Sequence, residues 1–486
     1  MFRKVFLFFS KMNKKTVNLI SILTFAFLWQ IFAVLAKTPL VFPTFTATVF
    51  KLFELCATQE FWQSTLFSSL RVFAGFFISV FLGIIAGVLS GIFPLFKAFI
   101  AFPLSLIRSV PAVSFILLAV FVFNSDFVPV FSAVLMAFPV MTAAVSSGLD
   151  FSEDDKKLFF MAKVFKLTKS QKIRFIVLPK LQNFVESGIF STFGMSWKVV
   201  AAAEVLSIPK KALGAILQNA QVQLESPALL ATTIMLVFLS FAFEKILHKA
   251  FDRLFLTLTS PDFSKKVQKN KKTKSFQKKS CEKLKSEQNS DSVKIQNLTI
   301  KKGNKLLFEN FNYEFKKNKI TAILAPSGSG KTTLLTQIAL TNPEVSFLFQ
   351  EPRLLPSLTV FQNVFLPLFN IYKAKKAEEI AEKYLKATGL FERKDEKTQN
   401  LSGGEKQRIA MARSFAFPSK ILLLDEAFQS LDEKIKKSLG QTLKKLLSES
   451  PKTVIFVTHE KSEAKEIADI TVEMEGEPLK ISSSFS

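Results

Sequence analysis

The chain has few cysteines, few histidines and a shortage of acidic residues. Of its 486 residues, two are Cys, two are His and 39 are Asp or Glu, against 64 Lys and Arg. The two cysteines, Cys56 and Cys281, cannot build a disulfide framework or a metal site. The first apolar run, at 18–36, has no clear small-residue cleavage site. It therefore predicts a membrane helix rather than a secretory signal peptide.

The excess of basic residues gives a net charge of +25, which has two explanations. One is binding to nucleic acid, and the other is the basic cytoplasmic loops of a membrane protein. The aromatic residues fill apolar runs and do not alternate with basic residues, as a base-stacking surface would require. We therefore predict a membrane protein whose partners include the lipid bilayer but no nucleic acid.

Six apolar stretches in the first half are near the length of about 20 residues that crosses a bilayer. They lie at 18–36, 68–93, 98–122, 127–148, 184–206 and 226–247. Basic residues precede the first stretch and follow the fourth, so both of these segments are predicted to be cytoplasmic. The expectation is a six-helix domain in the cytoplasmic membrane, with the second half of the chain in the cytoplasm.

Two patterns within the predicted spans bear on packing and on function. In the second span, small residues recur at every fourth position, which places them on one helix face and lets another helix approach closely. They are Gly75, Ser79, Gly83, Gly87 and Gly91. Ionisable residues also occur within spans, where they are costly: Arg108, Lys198 and Glu204. Either Arg108 and Lys198 create a positive environment for an anionic solute, or these ionisable residues sit at membrane edges or pair with neighbours.

Three domains follow from the change in composition along the chain. Residues 1–258 form the predicted membrane domain, and the Lys-rich stretch 259–290 is predicted to be a disordered linker. From 291–486, short apolar strands alternate with helices, which predicts an α/β domain with a mainly parallel sheet. The strands are expected at 293–300, 320–325, 345–349, 420–425 and 453–457, and the helices at 331–340, 376–388, 404–416, 433–449 and 460–468.

A glycine-rich run at the start of a predicted helix has the chemistry of a phosphate-binding loop, because glycines let backbone N–H groups converge on phosphate oxygens. The run consists of Ser327, Gly328, Ser329, Gly330, Lys331, Thr332 and Thr333. Lys331 is expected to reach the β- and γ-phosphates of ATP, and the Thr332 hydroxyl to ligate Mg²⁺. Ala325 stands where a first glycine is expected, which is a modest cost in backbone freedom.

A second element consists of an apolar strand that ends in two carboxylates, Asp425 and Glu426. A buried strand can present Asp425 to Mg²⁺ and Glu426 to an attacking water, as general base or orienting group. The run of leucines before them would by itself indicate only a core strand. The paired carboxylates at its end indicate a catalytic edge.

Together with the run 401–405, Leu-Ser-Gly-Gly-Glu, these motifs resemble the ABC ATPases over essentially all of 291–475. The resemblance implies that Gln350 senses Mg²⁺ and nucleotide and that His459 contacts the γ-phosphate. It implies further that Ser402, Gly403 and Gly404 bind the nucleotide held by the Lys331 of a second copy, next to a turn that contains Asp432. The resemblance therefore implies that two copies of this chain form a homodimer. The sequence departs from the family pattern at two positions. No aromatic residue lies near Lys302 to stack on adenine, and Ala427 stands where a Pro commonly follows Glu426.

Two further stretches resemble importers of nitrate, taurine, alkanesulfonates and thiamine precursors. Residues 349–356 of the ATPase half and 197–204 of the membrane half carry the likeness. A partial docking motif of binding-protein-dependent importers, with Phe160, Lys166 and Leu178-Pro179, lies between spans four and five. The resemblance implies a permease fused to its ATPase, which imports a small solute delivered by an extracytoplasmic binding protein.

Two alternatives are weaker. A half-size ABC exporter also has six spans before one ATPase domain, but it has two long cytoplasmic docking segments, and here the turn between spans two and three covers only 92–97. A regulatory ATPase with a membrane anchor would not need six spans with internal charges.

Overall fold

The computed structural model describes residues 13–38, 40–259, 292–303, 305–428 and 433–485. Residues 260–290 of the predicted linker therefore lie outside the described residues, as does Asp432. The chain divides into two units: Met1–Asp150 with Lys180–Thr257, and Phe151–Pro179 with Leu258–Ser486. The segment between the fourth and fifth predicted spans thus belongs to the second unit.

The first unit is entirely helical over its described residues. Its helices are α1 (Lys14–Ala36), α2 (Phe45–Cys56), α3 (Gln59–Ile92), α4 (Pro94–Ser109), α5 (Ala112–Val122), α6 (Val128–Gly148), α9 (Leu178–Ser207), α10 (Leu213–Val222) and α11 (Ser226–Thr259). Five described helices are long and apolar enough to cross a membrane, and a bent helix pair brings the number to as many as six. The predicted class of a multi-span helical domain is confirmed.

The third predicted span, 98–122, differs from the expectation of one continuous helix. It consists of α4 and α5, which meet at an angle of 96°. Val110 has an extended conformation with ψ of 133°, and Pro111, which lacks an N–H, precedes the first residue of α5. A residue before proline is disfavoured in the helical region, so the break lies where the sequence carries Pro111.

The stripe of small residues on α3 packs against α6, as its spacing predicts. A Cβ atom added at Gly83 would lie 2.6 Å from the Cβ of Met141, and one added at Gly87 would lie 2.6 Å from the Cβ of Val145. These distances are shorter than any normal carbon–carbon contact. Glycine therefore allows the two helix backbones to approach closely, as in other membrane helix pairs.

The second unit contains two sheets. Strands β1 (Ser292–Lys302) and β2 (Lys305–Lys316) form an antiparallel pair. The larger sheet has the order β4-β5-β6-β3-β7-β8 and is parallel except for β8 at its edge. Its strands are β3 (Ile320–Leu324), β4 (Val345–Leu348), β5 (Ile421–Asp425), β6 (Thr453–Thr458), β7 (Ile470–Glu475) and β8 (Lys480–Phe485).

Helices cover this sheet on both faces, which explains why β4, β5 and β6 are apolar and fully buried. The described α-helices of the second unit are α7 (Glu153–Val164), α8 (Lys169–Lys172), α12 (Lys331–Thr341), α13 (Val360–Phe369), α14 (Ala374–Ala387), α15 (Gly403–Ala416), α16 (Glu433–Glu449) and α17 (Lys461–Ile467). All five predicted strands and all five predicted helices of this half are present. Strands β2, β7 and β8 and helix α13 were not predicted.

Candidate functional site

The carboxyl ends of three adjacent parallel strands, β5, β6 and β3, form the candidate site. In open α/β sheets this edge is where ligands bind. A cavity of about 490 Å³ lies there, lined by the glycine-rich loop, Gln350, Glu426, Lys305 and Leu307. The sheet order therefore brings together motifs that are about 100 residues apart in the chain.

The glycine-rich loop has the backbone that its sequence requires. Gly328 and Gly330 have φ of 76° and 103°, a region that disfavours other residues, and α12 begins directly after them. Ala325 is not among the residues with positive φ, so alanine is tolerated there without strain. The Nζ of Lys331 donates hydrogen bonds to the carbonyls of Ala325 (2.7 Å) and Pro326 (2.9 Å). The ammonium group is thus held at the base of the loop.

The Thr332 hydroxyl and the Asp425 carboxylate lie together beneath this loop. Thr332 Oγ1 donates to Asp425 Oδ1 over 3.0 Å. Asp425 is buried, and this burial raises the pKa of its carboxyl to about 6. A hydroxyl and a carboxylate are hard oxygen ligands, and Mg²⁺ typically takes only one or two protein ligands beside phosphates and water. The pair fits Mg²⁺, the metal expected from the sequence.

Glu426 occupies the centre of the site. Its φ is 42°, and its backbone N–H donates to the carbonyl of Val457 on β6, which holds this uncommon conformation at the end of β5. Its carboxylate lies 3.3 Å from Lys331 Nζ, 3.5 Å from Gln350 Nε2 and 3.6 Å from His459 Nδ1. The structure therefore brings together the three residues predicted to be catalytic: Gln350, Glu426 and His459.

A support for the His459 loop was not anticipated from the sequence. The Thr458 hydroxyl donates to Glu463 Oε2 over 2.5 Å and accepts from the backbone N–H of Glu460 over 3.1 Å. Glu463 is buried, and burial raises the pKa of its carboxyl. These bonds fix the chain on both sides of His459. The only sequence signal was a carboxylate one helical turn downstream.

The predicted signature residues lie at the start of α15 and do not line the cavity that contains Lys331. Ser402 is the N-cap: its hydroxyl accepts from the N–H of Glu405, while the Glu405 carboxylate accepts from the N–H of Ser402 over 2.9 Å. This backbone bond is the main reason that the pKa of Glu405 falls to about 2. A Cβ added at Gly403 would meet no atom within 4 Å, so this helix end is sterically open.

Helix α7 packs its apolar side onto the larger sheet within the second unit. The ring of Phe160 lies 5.9 Å from that of Phe349, the residue before Gln350. Phe165 is fully buried, with its ring 5.3 Å from Phe417 at the end of α15. We call α7 and the residues up to Pro179 the docking segment. The docking segment therefore makes an apolar contact with the residue next to Gln350.

Arg413, another residue that sequence reasoning missed, joins the docking segment to the Gln350 loop. It is 1% exposed, its guanidinium carbon lies 4.7 Å from the centre of the Phe165 ring, and it donates to the carbonyls of Pro352 and Arg353 over 2.9 Å each. Burial lowers the pKa of Arg413 to about 9. The sequence shows only a basic residue on a helix and gives no hint of this contact.

In the first unit, Glu204 pairs with neighbouring residues, which is the second of the two roles considered for ionisable residues within the spans. It is fully buried and accepts from Ser68 Oγ (2.7 Å), Arg71 Nη1 (2.8 Å) and the N–H of Gly214 (3.1 Å). Arg71 also contacts Asp126 over 2.5 Å. Lys198, in contrast, is exposed. Arg71 was not singled out from the sequence because its partners, Glu204 in α9 and Asp126 in the turn before α6, are distant along the chain.

Comparison with known proteins gives two family matches. Residues 336–429 match the family described as "ABC transporter", and residues 79–256 match "Binding-protein-dependent transport system inner membrane component". A solved dimeric ATP-binding cassette with bound ADP and phosphate is 28% identical, covering 40% of this chain and 97% of its own, with a TM-score of 0.36.

Three curated relatives are import ATP-binding proteins. A probable sulfate/thiosulfate import ATP-binding protein of Chlorella vulgaris is 36% identical over 40% of this chain and 92% of its own length. A sulfate/thiosulfate import protein of Shewanella oneidensis is 40% identical, over 38% of this chain and 59% of its own. An Fe(3+) ions import ATP-binding protein of Fusobacterium nucleatum is 32% identical, over 38% of this chain and 56% of its own length.

The chain thus spans nearly all of the algal relative and somewhat over half of the two bacterial ones. The two family matches lie in different halves of the chain, and the phosphate loop, the carboxylate strand and the parallel sheet agree with them. The chain therefore belongs to the ABC transporters, joining a multi-pass inner-membrane component and a transport-coupled ATPase in one polypeptide.

Proposed function

We propose that two copies of this chain form an importer that uses ATP to move a small solute delivered by an extracytoplasmic binding protein. The observation that carries the proposal is the Glu426 cluster: Lys331, Gln350 and His459 all lie within 3.6 Å of one carboxylate. The motif at Ser402, which in ABC ATPases completes a nucleotide site, begins a helix outside that cavity.

In this proposal each residue of the cavity has one task in ATP hydrolysis. The loop N–H groups and Lys331 bind the β- and γ-phosphates, and Glu426 orients a water and accepts its proton. His459 binds the γ-phosphate. Gln350 senses Mg²⁺ and nucleotide, and it transmits changes in the site to the residues that follow it. Thr332 and Asp425 would hold Mg²⁺, which when bound neutralises charge on the phosphates.

The second copy supplies the other face of the nucleotide site. The N-terminus of α15 presents backbone N–H groups and a positive helix dipole, which suit a γ-phosphate. Ser402, Gly403 and Gly404 would contact the nucleotide on the partner's phosphate loop, beside the turn that contains Asp432. This arrangement makes both copies necessary for turnover.

Mixed dimers test this arrangement. We expect Lys331→Ala and Gly403→Asp each to abolish ATP turnover as homodimers, the second by placing a negative charge against phosphate. A heterodimer of the two variants keeps one intact site, so it should recover up to half of the wild-type rate. Differently tagged copies, purified through both tags, allow ATPase assay of the heterodimer alone. Absence of recovery, with both variants folded, would contradict a site shared between copies.

Import is favoured over export by the inner-membrane family match, which is to a binding-protein-dependent system, and by the single docking segment. The relatives that import sulfate and thiosulfate, and the resemblance of 349–356 and 197–204, support a solute of the nitrate, sulfonate and taurine type. The docking segment would carry motion from the Gln350 loop to the membrane helices as the protein alternates between two states.

The direction of transport tests the proposed function. The Glu426→Gln protein, held with ATP in its native membrane and purified gently, should carry an extracytoplasmic binding protein whose ligand mass spectrometry can identify. Wild-type protein is then reconstituted in liposomes, with that binding protein and the labelled ligand on the side opposite the ATPase domains. With ATP on the ATPase side, we expect the ligand to accumulate on the ATPase side. In a second preparation with the labelled ligand on the ATPase side, ATP-dependent loss of ligand from that side would establish an exporter.

A further inference from the structure

Two arginines in helices of the first unit, Arg71 and Arg108, have different surroundings. Arg71 contacts two carboxylates, those of Asp126 and Glu204. Arg108, in α4, donates from Nη2 to the carbonyl of Pro139 over 2.6 Å. Among the described residues no carboxylate lies within 4 Å of Arg108, so its charge is not neutralised by the fold as that of Arg71 is.

Arg108 lines an open groove of about 430 Å³ between α3, α4 and α6. On α4, Lys97 and Arg108 lie on one face because they are eleven residues apart, about three helical turns, and Ser105 lies on the turn before Arg108. On α6, Thr142 and Ser146 lie one turn apart on the opposing wall. Six hydroxyl side chains line the groove: Ser90, Ser105, Ser109, Thr142, Ser146 and Ser147.

Many of these hydroxyls are available to a ligand. Ser109 and Thr142 donate to carbonyls in their own helices, which leaves their oxygens able to accept. Ser90 is 4% exposed and its hydroxyl has no hydrogen-bond partner among the described residues. Buried polar groups are normally paired, so an unpaired hydroxyl in the wall of a groove indicates a partner that is not part of the fold.

The charge of the groove indicates the sign of that partner. Lys97 and Arg108 supply two positive charges, and Asp150 at one end is the single carboxylate among the lining residues. An ionisable residue within a membrane helix is costly and normally faces a bundle interior or a water-filled path. A groove with net positive charge and many hydroxyls would repel a metal cation such as Fe³⁺ and suits a small anion.

We propose that this groove is a binding site for a small oxyanion, such as a sulfate or sulfonate group, and that Arg108 determines its charge selectivity. The inference rests on the proposed import function and adds to it the location of the solute in the membrane half. The guanidinium donates to the anion oxygens, and the serine and threonine hydroxyls complete the hydrogen bonds that the anion loses with water.

Binding of radiolabelled sulfate to the purified full-length protein in nanodiscs tests this site, with methanesulfonate as competitor and chloride at constant ionic strength. We expect saturable binding to the wild type and at least about tenfold weaker binding to Arg108→Gln, because a hydrogen bond to a charged group contributes about 1.5–3 kcal/mol. Arg108→Lys keeps the charge and should recover most of the affinity. Lys198→Gln removes an exposed cation outside the groove and should bind as the wild type does.

ATP turnover is measured on the same preparations, which separates the two proposals. If the wild type hydrolyses ATP but binds neither anion, or if Arg108→Gln binds as tightly as the wild type, the groove is not an oxyanion site and the proposed function is unaffected. If the wild type hydrolyses no ATP, the proposed function fails, while the binding data still decide the chemistry of the groove.

Discussion

Replacing Glu426 by Gln is expected to lower the steady-state rate of ATP hydrolysis at least a hundredfold while changing ATP affinity only a few fold. General acid–base groups typically contribute about 10²–10⁴-fold to a rate, and an amide cannot accept the proton of the attacking water. The amide keeps the shape of the carboxylate and can still hydrogen-bond to its neighbours. Loss of the negative charge beside Lys331, 3.3 Å away, frees that ammonium group for phosphate and so does not weaken ATP binding.

Glu344→Gln is the matched control for this variant. Glu344 pairs with Lys420 over 2.8 Å, before the start of β4 and at the opposite end of the sheet from the phosphate loop. The Glu344→Gln protein should hydrolyse ATP at close to the wild-type rate. Turnover is followed by phosphate release, and binding by equilibrium titration with labelled ATP. If the Glu426→Gln protein kept more than a tenth of the wild-type rate, Glu426 would not be the group that activates water.

The geometry of the candidate site was predictable because its residues lie at the ends of strands that the sequence marks clearly. Asp425 and Glu426 end a run of leucines, and His459 follows another apolar strand. In a parallel sheet these ends meet at one edge, so the order of motifs along the chain was enough to bring them together. The glycine spacing similarly predicted that another helix approaches α3 closely, because helix geometry converts spacing directly into a face, but it did not identify α6 as that helix.

Features that depend on distant side chains were not predictable. Arg413 reaches backbone carbonyls about 60 residues away, and Arg71 meets a carboxylate 133 residues away. Neither contact has a local pattern. The break in the third span was also missed: Pro111 was visible, but the mostly apolar run around it dominated the prediction. Helix α13 was missed because a short apolar run with an internal Pro367 gives no clear periodicity.

Replacing Phe165 by Ala is expected to abolish solute transport while leaving ATP hydrolysis in place. Phe165 is fully buried between Phe417 and Arg413, far along the chain from the catalytic residues. Truncating a buried phenylalanine costs about 3–5 kcal/mol. This cost lowers the equilibrium constant for packing of the docking segment by about two or more orders of magnitude. The residues around Glu426 do not include Phe165, so the chemistry of the cavity should continue without its coupling to the membrane helices.

A second variant on the same segment separates apolar packing from surface charge. Lys157 pairs with Glu351 over 3.0 Å, but both side chains are more than a third exposed, and exposed ion pairs typically contribute at most about 1 kcal/mol. Lys157→Ala should therefore transport at nearly the wild-type rate. Uptake and hydrolysis are measured in the same proteoliposomes, so that their ratio reports coupling. A Phe165→Ala protein that loses hydrolysis and transport together would show that Phe165 stabilises the ATPase fold. One that keeps the normal ratio would show that motion passes to the membrane helices by another route.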